Sequence, residues 1–147
     1  MSVIAWDGVT LAADTQSSNQ NLFRTVTKIW KHGDVLIAGT GAATTIQAIR
    51  NWILGGCEPK DWPSDYITKD DNTSVWVINK SGRIAVFEGT PYPVPFEDER
   101  FADGSGRDFA LGAMAMGAGA HEAVTVACKY DIYCGGRIDT LTFGEEL

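Results

Sequence analysis

Hydrophobic residues in the first forty positions occur in short runs separated by polar turns, a pattern typical of antiparallel β-structure. Residues 2–6 and 9–14 are rich in Val, Ile, Leu, Ala and Trp, and Asp7-Gly8 between them predicts a tight hairpin. The same pattern predicts a loop at 15–21, a strand at 22–31, a turn at 32–34 and a buried strand at 35–38. The opening part of the chain is therefore predicted to form an antiparallel sheet.

The hydrophobic period then changes to that of a helix. Residues 42–54 place three Ile side chains on one face with Trp52 beside them, which predicts an amphipathic helix ending at Gly55-Gly56. Beyond it we expect a loop with little helix at 57–72. A hairpin is predicted from strands 75–78 and 84–87 around the turn 80–82. An irregular segment is predicted at 88–104, which contains three of the five prolines.

Two helices rich in Ala and Gly are predicted near 106–117 and 120–130, followed by a last strand through 138–143. Their predicted buried faces are Phe109, Ala113 and Met116 on the first helix and Ala120, Val124, Ala127 and Cys128 on the second. This order of elements predicts an α+β fold in one domain, residues 1–147, with two antiparallel sheets stacked between helical layers.

Composition and charge narrow the function. The 147 residues are 44% hydrophobic and carry a net charge of −7, which argues against nucleic acid or an anionic membrane as a partner. The chain has no apolar run long enough to span a membrane and no secretory signal, so we expect a cytoplasmic protein. Three cysteines without a Cys-x-x-Cys pair favour free thiols, and His32 and His121 are isolated, so no metal or cofactor is expected.

The second residue is the first candidate for catalysis. If Met1 is removed, Ser2 carries both a hydroxyl group and a free α-amine, and can serve as a nucleophile with its own general base. An α-amine titrates near ~7.7–8.0, so a useful fraction accepts protons at neutral pH. Methionine aminopeptidase accepts a small second residue, and we expect it to suffice for activation. The alternative is an ordinary start codon followed by a strand.

Five segments together resemble the proteasome β subunits and the bacterial HslV peptidase. They are the start of the chain (Ser-Val-Ile-Ala, then Asp-Gly-Val-Thr-Leu-Ala-Ala-Asp-Thr), Thr27-Lys28-Ile29, residues 38–43 (Ala-Gly-Thr-Gly-Ala-Ala), Gly104-Ser105-Gly106 and residues 130–136 (Tyr-Asp-Ile-Tyr-Cys-Gly-Gly). The resemblance covers nearly the whole chain and is greatest to the short proteasome-like proteins of phages and bacteria. The resemblance implies an N-terminal-nucleophile hydrolase with a four-layer αββα sandwich.

The resemblance also implies roles for individual residues. Ser2 stands where the family has its nucleophilic Thr, Asp14 where it has a carboxylate, and Lys28 where it has the Lys that pairs with that carboxylate. A fixed ammonium beside the nucleophile favours a neutral α-amine and stabilises a developing alkoxide. Without the resemblance, Asp14 is a strand end and Lys28 a solvated strand residue.

The remaining roles are stabilisation of the oxyanion and hydrogen bonding around the α-amine of Ser2. Gly41, at the corner between a strand and a helix, is the implied backbone donor to the oxyanion, with Gly39 as the competing choice. Ser105 and Asp131 match an accessory Ser and Asp that hydrogen-bond around the amine. Taken alone, the glycines could be turn residues, Ser105 a helix N-cap and Asp131 a cap at a helix end.

The chain departs from the family in three places. Its nucleophile is Ser, which lacks the methyl group that restricts the rotamer of Thr, and Cys134 stands where the family has an accessory Ser. The proline-containing loop 57–72 replaces most of a helix used in subunit packing, so stacked rings are not assumed.

The resemblance implies hydrolysis of peptide bonds in peptides or unfolded polypeptides by a homo-oligomer, without a cofactor. No motif supports a partner ATPase. Two alternatives stay open: a non-catalytic scaffold subunit that assembles with itself, and an amidase of the same fold that acts on a small molecule.

Overall fold

The computed structural model describes residues 2–19, 22–67 and 72–144. Its first sheet is antiparallel and contains both strands of the predicted Asp7-Gly8 hairpin. In the order in which they pair, its strands are β10 (Phe101–Asp103), β1 (Ile4–Trp6), β2 (Thr10–Ala13) and β11 (Asp139–Thr142). The sheet therefore brings the start of the chain between its last strand and the segment that precedes the Gly-Ser-Gly motif.

The second sheet is a five-stranded antiparallel meander, in which each strand pairs with the next one along the chain. Its strands are β5 (Ile29–His32), β6 (Val35–Thr40), β7 (Ser74–Asn79), β8 (Ile84–Phe87) and β9 (Val94–Phe96). The predicted hairpin around residues 80–82 is confirmed as the connection between β7 and β8.

The two sheets pack face to face through a hydrophobic core. Leu11 and Ile4 of the first sheet meet Leu36 and Ile78 of the second in one buried cluster. At its edge the Trp76 ring stacks on the Phe101 ring, with 4.1 Å between centroids. This inter-sheet layer buries the inner face of each sheet.

Helices cover the outer face of each sheet. α1 (Ala43–Leu54) packs Ile49 and Trp52 on the second sheet, and α2 (Arg107–Ala115) and α3 (Ala120–Tyr130) pack on the first. The result is the predicted α+β, four-layer αββα sandwich. Among the described residues, no helix is long and apolar enough to cross a membrane.

The prediction of a loop at 15–21 is wrong. A separate two-stranded ribbon forms there from β3 (Gln16–Asn19) and β4 (Leu22–Thr25), and it interrupts the strand predicted over 22–31. All four side chains of β4 are exposed, so the ribbon buries neither face fully and leaves no hydrophobic alternation to recognise. Residues 20 and 21 of the predicted loop lie outside the described residues.

The irregular segment predicted at 88–104 is also partly wrong, because β9 and β10 both lie in it. Pro95 is tolerated since β9 is the edge strand of its sheet, where a missing N–H donor costs little. In the segment predicted as a loop at 57–72, the described part contains two short 3₁₀ turns, Pro59–Asp61 and Ser64–Tyr66, and residues 68–71 lie outside the described residues.

The buried face predicted for α2 is wrong at two of its three residues, since only Ala113 packs against the core. Ala110 and Met114 are buried, whereas Phe109 is partly exposed and Met116 is fully at the surface. The helix presents small side chains to the sheet and can therefore approach it closely, which a search for large apolar residues does not detect. On α3 the predicted face is confirmed, with Ala120, Val124 and Ala127 buried and Cys128 packed beside them.

We expect Phe101→Ala to lower the free energy of unfolding by about 3–5 kcal/mol, because the ring is 1% exposed and fills the space between the sheets. Urea denaturation followed by tryptophan fluorescence measures the loss. Phe23→Ala is the matched control, since Phe23 is 64% exposed on β4 and its truncation leaves no cavity. Equal effects of the two substitutions would contradict the assignment of Phe101 to the core.

Candidate active site

Ser2 lies at the start of the first sheet, with 3% of its surface exposed. Its carbonyl oxygen accepts hydrogen bonds from the Gly106 N–H (3.1 Å) and the Ser105 hydroxyl (3.3 Å). Gly104 has a φ of +97°, and a Cβ there would overlap the Ser2 carbonyl, so this position needs glycine. The Gly-Ser-Gly segment thus acts as a clamp on the backbone of Ser2.

The hydroxyl group of Ser2, unlike its carbonyl, lacks a hydrogen-bond partner among the described residues. The oxygen of this hydroxyl group, Oγ, is also buried. A buried hydroxyl without a partner is costly and uncommon, and such groups occur where a protein keeps a side chain available for chemistry. Ser2 also lines two cavities, which makes its hydroxyl reachable by a ligand.

Asp14 and Lys28 form a buried ion pair in the same region. Lys28 Nζ lies 2.6 Å from Asp14 Oδ1 and also donates to the carbonyl of Gln16 at 2.7 Å. Side-chain exposure is 8% for Lys28 and 0% for Asp14. Such a pair is favourable only when further hydrogen bonds compensate its loss of water, as they do here.

The Asp14 carboxylate also orders the backbone around the nucleophile. Its Oδ1 accepts from the Val3 N–H at 3.1 Å, and its Oδ2 accepts from the Gly135 N–H at 3.0 Å. Val3 directly follows Ser2, and Gly135 belongs to the predicted motif at 130–136. One carboxylate therefore joins the first strand, the Lys28 ammonium and the Gly-Gly turn.

A cavity of about 310 Å³ opens beside these residues, lined in part by Ser2, Lys28, Gly39 and Gly41. The Gly39 N–H already donates to the Lys28 carbonyl at 3.0 Å, so it is not available to an oxyanion. Gly41 follows the end of β6 and adopts a φ of +113°, in the region that favours glycine. Of the two candidates for the oxyanion donor, Gly41 is therefore the better placed.

Ser105 and Asp131 both contact Cys134, which lies between them. The Ser105 hydroxyl is 3.8 Å from Cys134 Sγ, which in turn lies 3.5 Å from Asp131 Oδ2. Asp131 Oδ1 accepts from the Tyr133 N–H at 2.9 Å. The N-cap of α2 is Gly106, so Ser105 is not a helix cap, whereas Asp131 does lie at the C-terminal cap of α3.

The protonation behaviour of this group follows from its surroundings. Burial raises the pKa of the Cys134 thiol to about 12, and the nearby Asp14 charge adds to that rise, so the thiol stays protonated at neutral pH. Burial alone would raise the pKa of Asp131, but the Tyr133 N–H and the Ser105 hydroxyl together lower it below its ordinary value. The site therefore places a neutral thiol between a hydroxyl group and a carboxylate.

Asp103 is a residue that the sequence analysis missed. Its Oδ2 accepts from the Thr40 hydroxyl (3.0 Å) and the Trp76 indole (2.9 Å), and its Oδ1 accepts from the Gly104 N–H. It lines the second cavity, about 340 Å³, together with Ser2. Its position directly before the Gly-Ser-Gly motif is the signal that could have drawn attention to it.

Comparison with known proteins identified similar solved structures, but no matching family model or curated sequence. The structure is similar to that of BPH from Thiobacillus denitrificans, with a TM-score of 0.72 and 20% identity over 99% of this chain and 100% of that one. BPH has also been solved in complex with epoxomicin.

Two further structures are similar. HslV from Trypanosoma brucei gives a TM-score of 0.67 at 19% identity, covering 95% of this chain and 97% of that one. The Anbu (Gly-1) mutant from Hyphomicrobium sp. strain MC1 gives 0.70 at 11% identity, covering 97% and 82%. The chain therefore has the fold of HslV and the proteasome β subunits, as the motifs predict.

We expect Lys28→Met to lower the free energy of unfolding by about 3–5 kcal/mol, because it leaves the buried Asp14 carboxylate without its counter-charge. Adding Asp14→Asn should cost less in this background than in the wild-type protein, and urea denaturation of the four proteins measures the coupling. Lys80→Met, at an exposed turn, should change stability by less than about 0.5 kcal/mol. Strict additivity of the two substitutions would contradict the pairing.

Proposed function

We propose that this protein is a proteasome-like N-terminal-nucleophile hydrolase that cleaves peptide bonds with Ser2 after removal of Met1. The observation that carries the proposal is the buried Ser2 hydroxyl, which has no partner among the described residues and belongs to a residue that lines the same cavity as Lys28. The fold shared with HslV is consistent with this chemistry.

In the proposed reaction the Ser2 hydroxyl attacks the carbonyl carbon of the scissile amide. The Ser2 α-amine, directly or through a water molecule, accepts the hydroxyl proton and then delivers it to the leaving amine. Lys28, held by Asp14, favours the neutral amine by charge repulsion and stabilises the negative charge that develops on Oγ. The Gly41 N–H stabilises the oxyanion of the tetrahedral intermediate. Water then hydrolyses the Ser2 ester and regenerates the free enzyme.

Ser105 and Asp131 complete the proposal as positioning residues. Ser105 fixes the Ser2 carbonyl, and Asp131 acts on Ser105 both directly, since the Ser105 hydroxyl lowers the Asp131 pKa, and through the Cys134 thiol. A thiol is a weaker hydrogen-bond partner than a hydroxyl, so this chain has a looser connection than a Ser at residue 134 would give.

The fold relatives support a proposal about substrates and assembly. We propose short peptides or unfolded polypeptides as substrates, since a cavity of about 310 Å³ lies next to Ser2 and the structurally similar BPH binds epoxomicin. We further propose that the protein works as a homo-oligomer in the cytoplasm and needs no metal or organic cofactor.

We expect Ser2→Ala to abolish hydrolysis of unfolded casein and of capped peptide amides, because it removes the only proposed nucleophile. Ser2→Thr should retain activity, since it keeps both the hydroxyl and the amine. Fluorescence release from labelled casein and chromatography of peptide products measure the rates, and circular dichroism checks that the variants fold.

Ser81→Ala, in the exposed turn between β7 and β8, is the matched control and should leave the rate unchanged. Full activity of Ser2→Ala would exclude the proposed nucleophile. Activity of the wild-type protein on small acyl amides but not on peptides would instead favour the small-molecule amidase, and complete inactivity would favour the scaffold subunit.

A further inference from the structure

The wall of the first cavity offers hydrogen-bond donors but no negative charge. Among the described residues that line it there is no Asp or Glu. The Ser17, Ser18 and Thr27 side chains contribute hydroxyl groups, and the only charged group is the Lys28 ammonium. This composition is unusual in a protein with a net charge of −7, and it favours a ligand that accepts hydrogen bonds.

A second cation lies directly behind two residues of that wall. The Arg50 guanidinium stacks on the Trp30 ring at 4.7 Å from its centroid, and its Nη1 donates to Gln47 Oε1 at 3.2 Å. Both Trp30 and Gln47 line the cavity. Arg50 Nε is buried and has no partner among the described residues, whose ion pairs also do not include Arg50.

Arg50 fixes the orientation of the Gln47 amide. A guanidinium only donates hydrogen bonds, so the amide oxygen must point toward Arg50 and the NH₂ group must point away from it. Arg50 Nη2 also lies 3.2 Å from His32 Nε2, which accepts in this contact because a guanidinium only donates. Gln47 in the cavity wall is therefore hydrogen-bonded to a positively charged group.

We propose that this cavity binds an acidic side chain of the substrate, adjacent to the scissile bond, with Arg50 as the residue that determines the preference. Lys28 lines the cavity, Arg50 lies behind its Trp30 and Gln47, and the Asp14 carboxylate is already paired with Lys28. The second cavity next to Ser2 contains Asp103 and disfavours such a side chain. The inference rests on the proposed function in that it takes the first cavity as a substrate pocket.

The test uses capped heptapeptides of Ala with Glu, Gln or Lys at the central position. We expect the wild-type protein to cleave next to Glu about five- to tenfold faster than next to Gln, the ratio that a charge-assisted hydrogen bond gives over a neutral one, and Lys to be the poorest. Mass spectrometry of the products locates the cleaved bond. Binding of the same peptides to Ser2→Ala, measured by calorimetry, gives a readout that does not depend on catalysis.

Two variants test the role of Arg50. Arg50→Gln should raise KM for the Glu peptide and abolish its advantage over Gln, with kcat changed much less. Gln47→Glu places a carboxylate in the wall and should shift the preference from Glu to Lys, and it provides the test if Arg50→Gln does not fold. Arg83→Gln makes the same change of charge in the exposed turn between β7 and β8 and should leave the preference intact.

A preference for Lys or Gln over Glu in both the rates and the binding would overturn the inference, as would an equal preference in wild type and Gln47→Glu. Selective binding of the Glu peptide without any cleavage would uphold the pocket and reject the proposed hydrolysis instead.

Discussion

The buried ion pair between Asp14 and Lys28 connects parts of the chain that are far apart in sequence. Asp14 holds the Val3 N–H, the Gly135 N–H and the Lys28 ammonium at once, and Lys28 also holds the carbonyl of Gln16. Removing two charges from water is expensive, and the cost is offset only while every one of these partners stays in place. The pair thus fixes the start of the first strand, the β3–β4 ribbon and the Gly-Gly turn relative to one another.

The arrangement of the two sheets explains why chemistry is concentrated at one edge. The first sheet delivers Ser2 and Asp14, the segment before the second sheet delivers Lys28, and the end of β6 delivers Gly41. Each of these residues lies at or beyond the end of a strand, where the backbone no longer forms the hydrogen bonds of the sheet. The same edge contains Asp103, whose carboxylate joins β6, β7 and the Gly-Ser-Gly clamp. The strands behind the site hold these residues at one edge of the two sheets.

The sequence predicted this architecture well wherever an element has a buried face and therefore a periodic pattern of hydrophobic residues. The opening hairpin, α1 and the β7–β8 hairpin follow from such patterns, whereas the β3–β4 ribbon has exposed faces and left no pattern to read. The proximity of Ser2, Asp14 and Lys28 was predicted from the family resemblance, since no spacing rule brings residues 2, 14 and 28 together. Asp103 and Arg50 were missed because their partners come from other strands: Trp76 lies on β7, and His32 on β5.

The central claim is that a hydroxyl and a free amine of the same residue act together beside Lys28. The most direct measurement treats the purified, active protein with an electrophile that targets N-terminal nucleophiles, followed by intact-mass determination and peptide mapping. We expect that the protein lacks Met1, that the adduct lies on Ser2 and that hydrolysis stops when Ser2 is modified. An active protein that retains Met1, or an adduct on Cys57 or another residue with full loss of activity, would contradict it.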